Sequence, residues 1–524
     1  NGQTGWLPAH SFNKGLPSGW ELTPVDGAFN KYPNTGGNLW LTGAPAKNVA
    51  NEQSWVESPA FNIDNLDFPL LSLDVFQSVE KGRDGAVVQY TVDDGKTWNL
   101  LTNGPVLEGG INWYNQTGVV SNPGNQSGTG NLGWSANTKQ WQTARFPLDH
   151  VRQEAKAANA LSVRFRVAYS SDGGNVEGEG LSGFAFDNFM ISSRTRVVMM
   201  EQFVNTAENK ALQEQEEEWL DAFVDANPVE VVDMRYHNYI SHSYDPLYYI
   251  SPLDISARSM EYGAFVEQLT MVDGIHRCVA GAEEEAKSYY NTRVLTDKRF
   301  DIKVETSTDE QKLTINAQIT KLTDTLVTEG TEKCGVRMAL VQHEYDYNGE
   351  VFRNVMVELL PNGEGNVVES IPADFPKGET MEVTGTWEPN VTTVGNTFRL
   401  VVYVQGIWGV DEIHQVWFKD SVDVPQVYGN ALGIAGSENE MADFTIYPSP
   451  VKDKLNVNWS QQLKTPVHWR LVSVSGSVAK EGTTPAGQSK QIINTSDLDN
   501  GMYIFVSLNE SNTRVEKRKV LIMK

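Results

Sequence analysis

Apolar and polar residues alternate with a period of two through Leu71-Ser72-Leu73-Asp74-Val75-Phe76 and Val87-Val88-Gln89-Tyr90-Thr91-Val92, the spacing that turns one face of a strand into a core. Asp93-Asp94-Gly95-Lys96-Thr97-Trp98 follows. Its Asp-Gly step supplies the positive φ angles of a tight hairpin, after which Trp98 restarts a strand. Further runs over 161–169 and 183–191 flank a Gly/Asn/Ser loop at 170–180. Eight of the 14 tryptophans (Trp6, Trp20, Trp40, Trp55, Trp98, Trp113, Trp134 and Trp141) precede residue 195. The pattern predicts a β-sandwich over 1–194.

At Arg196 the period changes. An apolar run, Val197 to Phe203, is followed by Leu212, Trp219, Leu220 and Phe223 at helical spacing and then by Val229 to Met234, which reads strand, helix, strand. Helical spacing resumes over 254–262, and Thr270 to Gly274 reads as a strand ending in a turn, so 195–300 is an α/β layer. Alternation returns at Leu313 to Ile319, 336–342, 351–359 and 398–404, predicting a second sandwich over 301–425. Residues 426–442 carry no periodicity and read as a linker. A last small β module spans 443–524, with prolines opening a strand, a Ser-Gly hairpin, an Asn-Gly turn and an apolar final strand beside lysines. The fold class is mainly β and multidomain.

The 524 residues carry 42 Lys and Arg against 67 Asp and Glu, a net charge of -25, with no basic cluster able to neutralise a phosphate backbone. Nucleic acid is excluded as a partner. Ionisable residues break every apolar run before the roughly 20 residues a membrane helix needs, so no transmembrane segment is expected. No charged n-region with an apolar h-region opens the sequence, which fits a cytosolic protein or one whose leader has been removed. The 44 Gly, 18 Tyr and only 2 Cys favour the second, an exported chain. Cys278 and Cys334 allow one disulfide or a pair of buried thiols. The 443–524 module holds 8 Lys and 3 Arg against 7 Asp and Glu, a net of +4, which leaves -29 on the rest.

Gly15-Leu16-Pro17-Ser18-Gly19-Trp20, Ser54-Trp55-Val56-Glu57-Ser58-Pro59 and Phe186-Asp187-Asn188-Phe189 resemble, in that order, the cleaved-adhesin or choice-of-anchor jelly-roll family. The resemblance implies a jelly-roll β-sandwich and a structural Ca2+ near the Asp-Asn pair, with Asp187 as a metal ligand; the alternative is that Asp187 caps a turn. Glu201-x-Phe203, Arg235-Tyr236-His237, Ala257-Arg258, Tyr262-Gly263 and Val272-Asp273-Gly274 resemble a thioredoxin-like outer-membrane-protein family of the Bacteroidetes, whose C-terminal half is matched by Phe352-Arg353-Asn354, Leu400 to Gln405 and Gln415-Val416. That implies a degenerate thioredoxin-like α/β domain and an immunoglobulin-like β-sandwich. Redox members carry Cys-x-x-Cys where the first helix begins, because the helix dipole stabilises the thiolate. This chain has Asn205 to Ala211 there, without sulfur, and Gln268-Leu269-Thr270 in place of the facing proline.

The final module resembles the type IX secretion sorting domain at four landmarks: Tyr447, Pro448, Pro450, Asp453 and Leu455; Gly476; Gly501 and Tyr503; and Lys517, Lys519, Val520 and Ile522. This implies a C-terminal β-sandwich sorting domain, export to the cell surface or outside the cell, and the type IX outer-membrane translocon and shuttle proteins as partners. Val520, Leu521 and Ile522 offer an apolar edge for strand addition, or else complete the module's own sheet. Asp324-Thr325-Leu326 and Asp420-Ser421-Val422 resemble the Bacteroidetes O-glycosylation acceptor, making Thr325 and Ser421 candidates.

Catalytic motifs are absent: no His-Glu-x-x-His, no Gly-x-Ser-x-Gly and no phosphate-cradling glycine loop. His237 and His242 share no face of a helix or strand. Glu216-Glu217-Glu218 and Glu283-Glu284-Glu285 read as solvated helix faces. The expectation is a non-catalytic surface or secreted binding protein, its ligand a surface glycan or protein. The alternatives are a component of the translocon or of a surface complex, and a secreted hydrolase with its site in the first domain.

Overall fold

The computed structural model describes residues 6–11, 18–24, 38–43, 51–103, 109–128, 130–173, 181–206, 210–238, 245–264, 267–323, 333–361, 367–372, 374–389, 391–407, 411–427, 444–448, 451–459, 461–473, 478–508 and 515–524. The alternating runs near the start become β1 (Leu7–Ser11), β2 (Glu21–Pro24), β3 (Asn38–Thr42), β4 (Gln53–Glu57), β5 (Pro69–Ser78), β6 (Gly85–Thr91), β7 (Asn99–Leu100), β8 (Asn137–Pro147), helix α1 (Asp149–Ala157), β9 (Arg164–Ser170) and β10 (Gly183–Ser193). One sheet runs β1-β4-β9-β6-β7 and the other β2-β3-β10-β5-β8. Between them lie Trp6, Trp20, Trp40, Trp113 and Trp134 with Phe146, Phe165, Phe184 and Phe186. Trp113 and Trp134 meet edge to face at 4.8 Å. Trp55, partly buried against that core, and Trp98 lie over the Arg166 guanidinium, 4.9 and 4.3 Å away. The Asp-Gly step forms its turn, with φ of 61° at Asp94 and 86° at Gly95.

The next segment holds β11 (Val198–Val204), α2 (Lys210–Ala226), β12 (Val231–His237), a 3-10 turn (Pro246–Ile250), α3 (Pro252–Tyr262), β13 (Leu269–Val272), β14 (His276–Val279) and α4 (Glu283–Arg293). β11 and β12 are parallel across α2, and β13 and β14 follow antiparallel. That is a thioredoxin-like layer. Then come β15 (Phe300–Thr308), β16 (Leu313–Lys321), β17 (Cys334–Tyr347), β18 (Glu350–Leu360), β19 (Glu369–Ile371), β20 (Thr380–Trp387), β21 (Phe398–Gly406) and β22 (Ile413–Lys419). β15-β16-β20 is one face of a sandwich. It packs closely, since a Cβ on Gly385 would stand 2.6 Å from the Met338 sulfur.

The opposite face of that sandwich is not a separate layer. β12 pairs with β18 at Arg235 and Val355, so the order β14-β13-β11-β12-β18-β17-β21-β22 is one continuous sheet, with β19 also on β17. Sequence periodicity places a boundary near residue 300 because strand length and turn spacing change there; hydrogen bonding carries the sheet across it.

Residues 1–389 with 393–427 form one compact unit, and 428–524 with 390–392 the other. The second holds β23 (Phe444–Tyr447), β24 (Lys454–Trp459), β25 (Val467–Ser473), β26 (Val478–Thr484), β27 (Lys490–Asn494), β28 (Gly501–Leu508) and β29 (Val515–Ile522). Its sheets, β23-β24-β27 and β26-β25-β28-β29, enclose a core that includes Phe444, Trp459, Trp469, Phe505, Val520 and Ile522.

Candidate functional site

In the thioredoxin-like layer, the ends of parallel β11 and β12 are the place where the thiol chemistry of that fold would sit. Here the Asp245 carboxylate is buried and accepts the backbone N–H groups of Thr206 and Leu247, both at 2.8 Å. The His237 ring nitrogen Nδ1 lies 3.2 Å from the same carboxylate, and the Asn205 amide donates to the Asn238 carbonyl at 2.8 Å. The Asp245 carboxylate is therefore fixed by the chain's own donors beside the ends of β11 and β12. Asp245-Pro246 carried a legible signal, an N-cap followed by proline, but nothing local tied it to Thr206. His242 and residues 207–209 lie outside the described residues.

The motif residues of this layer prove to be joints. Arg258 clasps Glu201 with two bonds of 2.7 and 2.6 Å, and Tyr236 and Tyr262 donate to the same carboxylate at 2.9 and 2.8 Å. Gln405 of β21 accepts from Arg258 at 2.8 Å. Burial works against the Arg258 charge, but Glu201 and Glu261 hold its pKa well above the usual value. Asp233 of β12 accepts from Asn354 of β18 at 2.9 Å and from Arg399 of β21 at 3.2 Å. Asp273, in the turn after β13, takes Arg196 and Arg293, each at 2.8 Å, while its carbonyl accepts the Ile413 N–H at 2.9 Å. Each joint fastens the α/β layer to a strand of the second sandwich.

Glu216 corrects the reading of its run as a solvated face: it is buried, accepting the Trp219 indole N–H at 2.9 Å and the Gly281 N–H at 2.7 Å. Cys278 and Cys334 are buried thiols outside any disulfide. Four strands of the sheet separate β14 from β17, about 24 Å at the usual strand spacing, so no disulfide joins them. Asp187 sits in register with Asp74 across β10 and β5, and its carboxylate accepts the Asn188 N–H at 2.7 Å, a local turn bond. Burial first, then Asp74, raises its pKa. Asp74 accepts from Thr143 at 2.6 Å and from the Asn188 amide at 2.7 Å. Among the described residues no group of three His, Cys, Asp or Glu is arranged to hold a metal. Ser421 is exposed after β22, whereas Thr325 lies outside the described residues.

A cleft of about 1060 Å³ opens between the first sandwich and the α/β layer, lined among others by Asp74, Arg145, Arg194, Arg293, Arg299 and Glu412. Arg194 meets Asp149 at 2.6 Å and Glu230 at 2.5 Å, and Arg293 meets Glu412 at 2.6 Å. The cleft residues come from six separate stretches of the sequence, so no local pattern announced them.

In the second unit Leu455, Tyr503, Val520 and Ile522 are buried, and the Tyr503 hydroxyl donates to the Asp499 carbonyl at 3.1 Å, closing the Asn-Gly turn. The Asp453 carbonyl accepts the Thr495 N–H at 2.9 Å, and Tyr447 is exposed. Pro448 follows β23, and Gly501 opens β28. Pro450 and Gly476 lie outside the described residues, as do the side chains of Lys517 and Lys519. Val520 and Ile522 point into the core, and of the three expected edge residues only Leu521 is exposed. What β29 offers outward is backbone. The Val451 N–H donates to the Leu521 carbonyl at 2.7 Å, and the Met523 N–H to the Val451 carbonyl at 2.9 Å, along the strand's outer side. Alternation turns the backbone groups of Val515, Lys517 and Lys519 to that same side.

Residues 445–523 match the secretion system C-terminal sorting domain. This sorting domain indicates export through the type IX secretion system to the cell surface or extracellular space, and it implies contact with that machinery. No helix among the described residues is long and apolar enough to cross a membrane. No curated protein matches the chain. Among solved structures, HBP35 of Porphyromonas gingivalis is 12% identical over 63% of this chain and 99% of its own, with a TM-score of 0.35. The K1 cleaved adhesin domain of Lys-gingipain from P. gingivalis W83 is 14% identical over 36% and 98%, with a TM-score of 0.17. Protein AGR_C_4864 from Agrobacterium tumefaciens is 13% identical over 46% and 99%, with a TM-score of 0.30.

Proposed function

We propose that the chain is a non-catalytic binding protein of the cell surface or extracellular space, delivered there by its sorting domain, with the translocon and shuttle proteins of the type IX system as its export partners. The observation that carries the reading is that the sorting domain has its own two-sheet core and an outward backbone edge on β29. The carboxylate at Asp245 and the missing sulfur support passive cargo over a redox enzyme. Recognition then proceeds by strand addition along Val515 to Lys519, with the module's core intact. The test is deletion of residues 516–524 followed by cell fractionation: periplasmic accumulation with the preceding domains still folded is expected, and normal surface arrival overturns the assignment.

Two smaller assignments belong to the same proposal. Ser421 is an O-glycan acceptor, checked by intact mass against Ser421→Ala. A calcium ion sits beside Asp187 and Asp74, whose facing carboxylates suit a hard cation; backbone carbonyls or water would complete the six to eight oxygens Ca2+ takes. A melting temperature equal in calcium and in chelator would remove it.

A further inference from the structure

The cleft between the first sandwich and the α/β layer concentrates positive charge on a chain of net charge -25. Its deep cations are committed: Arg194 to Asp149 and Glu230, Arg196 to Asp273, Arg293 to Asp273 and Glu412. The cations at the mouth are held differently. Arg145 donates to the Leu295 carbonyl at 2.9 Å and pairs with Asp297, whose side chain is 79% exposed. Lys298 pairs with Asp301 at 2.7 Å, and Arg299 stands 3.9 Å from Glu412. Of these carboxylates Asp301 is 33% and Glu412 12% exposed, and only Asp297 remains largely hydrated; it is the weak competitor, because displacing it returns it to water at little cost.

The rest of the lining has a second character. The hydroxyls of Ser192 and Ser193 have no hydrogen-bond partner among the described residues, and both line the cleft. Met190 and Leu322, 53% and 37% exposed, add apolar surface beside them. Cations, open hydroxyls and apolar carbon together suit a molecule bearing negative charge, hydroxyl groups and C–H faces, and the volume exceeds that of a single ion.

We propose that this cleft binds an acidic carbohydrate, a chain of carboxylated or sulfated sugars, with Arg145 meeting the anionic group in place of Asp297. The inference rests on the reading of the chain as a binding protein, and its test is independent of export. Fluorescently labelled hexagalacturonate and a sulfated chondroitin hexasaccharide are titrated into the full chain by anisotropy, with maltohexaose and hexaglutamate as comparators. One or both acidic sugars should bind, weakening as salt rises from 50 to 300 mM, with maltohexaose silent. Arg145→Met should weaken binding about tenfold, as loss of a charge-assisted bond requires. Asp297→Asn should tighten it about threefold by removing the competitor, provided the neutral amide competes less for Arg145. This change of sign separates ligand binding from a merely structural salt bridge, for which neither variant would alter anisotropy. Failure of both sugars to bind, equal binding of hexaglutamate, or insensitivity to both substitutions with unchanged melting would overturn the proposal.

Discussion

The α/β body of residues 195–427 and the sorting domain handle charge in opposite ways. In the body the Arg258–Glu201 pair has both side chains at 0% exposure, and Arg196–Asp273 stands at 1% and 0%. In the sorting domain the described ion pairs lie at the surface, Arg470–Glu481 at 52% and 65% and Lys480–Asp497 at 24% and 64%. Buried pairs demand every partner, because an orphaned charge in a low dielectric is far costlier than the pair. Surface pairs contribute little. The body therefore fixes a geometry through its buried charges, and the sorting domain carries its described ion pairs at the surface around an apolar core.

The widest break in that contrast is Arg258→Ala. It strands Glu201 among Tyr236, Tyr262 and the sheet, and should destabilise the body by about 3–5 kcal/mol. The double substitution Glu201→Leu with Arg258→Met should recover most of the loss. Denaturant unfolding of the full chain measures both, and a single-variant loss under about 1 kcal/mol would show that the joint is not what holds α3 to the sheet.

Next in size is Ile522→Ala in the sorting domain, where the side chain has 0% exposure in a small core. The expected cost is about 2–4 kcal/mol. It should melt the second unit and leave the first untouched, while Arg470→Ala shifts either transition by less than about 0.5 kcal/mol. Equal effects of the two would mean that surface charge, not packing, stabilises this module.

This contrast also explains what the sequence made readable. Period-two runs such as Leu71 to Phe76 and the turn residues at Asp94 and Gly95 announce themselves locally, so the sandwiches, the strand-helix-strand layer and the sorting landmarks could be read directly. The joints could not. Glu201, Arg258 and Asp273 were visible as a pattern, but their role depends on Gln405 and Ile413, more than a hundred residues away from them. Glu216 looked like one of three solvated glutamates because only tertiary structure brings Trp219 and Gly281 onto it. The join of β12 to β18 rests on a single register pair, which leaves no periodic trace.

The first sandwich supplies a smaller effect of opposite sign. Asp84 is 8% exposed, and burial, with Asp172 and Glu80 nearby, pushes its carboxyl up to about 7 against the pull of the Asp172 N–H and Arg83. Tyr169, itself buried, faces the same carboxylates together with Glu52. The folded state then holds a proton that the unfolded chain releases near pH 4, so this contribution is present at low pH and lost as pH rises through about 7. Asp84→Asn keeps an acceptor for Asp172, and should stabilise the sandwich at pH 8 by about 1–2 kcal/mol and flatten its pH dependence between 8 and 5. An Asn variant that melts lower than the parent at pH 8 would contradict the assignment.

The smallest expected effect is none at all. Cys278 and Cys334 lie on β14 and β17 of one sheet with four strands between them, and sulfurs that far apart cannot meet without dismantling it. Burial also pushes the Cys278 thiol up to about 12, so at neutral pH it carries almost no thiolate to oxidise or alkylate. Dithiothreitol should therefore leave the melting temperature of the body unchanged, and iodoacetamide should label both cysteines only after denaturation. A drop in melting temperature on reduction would require the two strands to be neighbours. That would undo the continuous sheet, and with it the claim that buried charge rather than covalent linkage joins the α/β layer to the second sandwich.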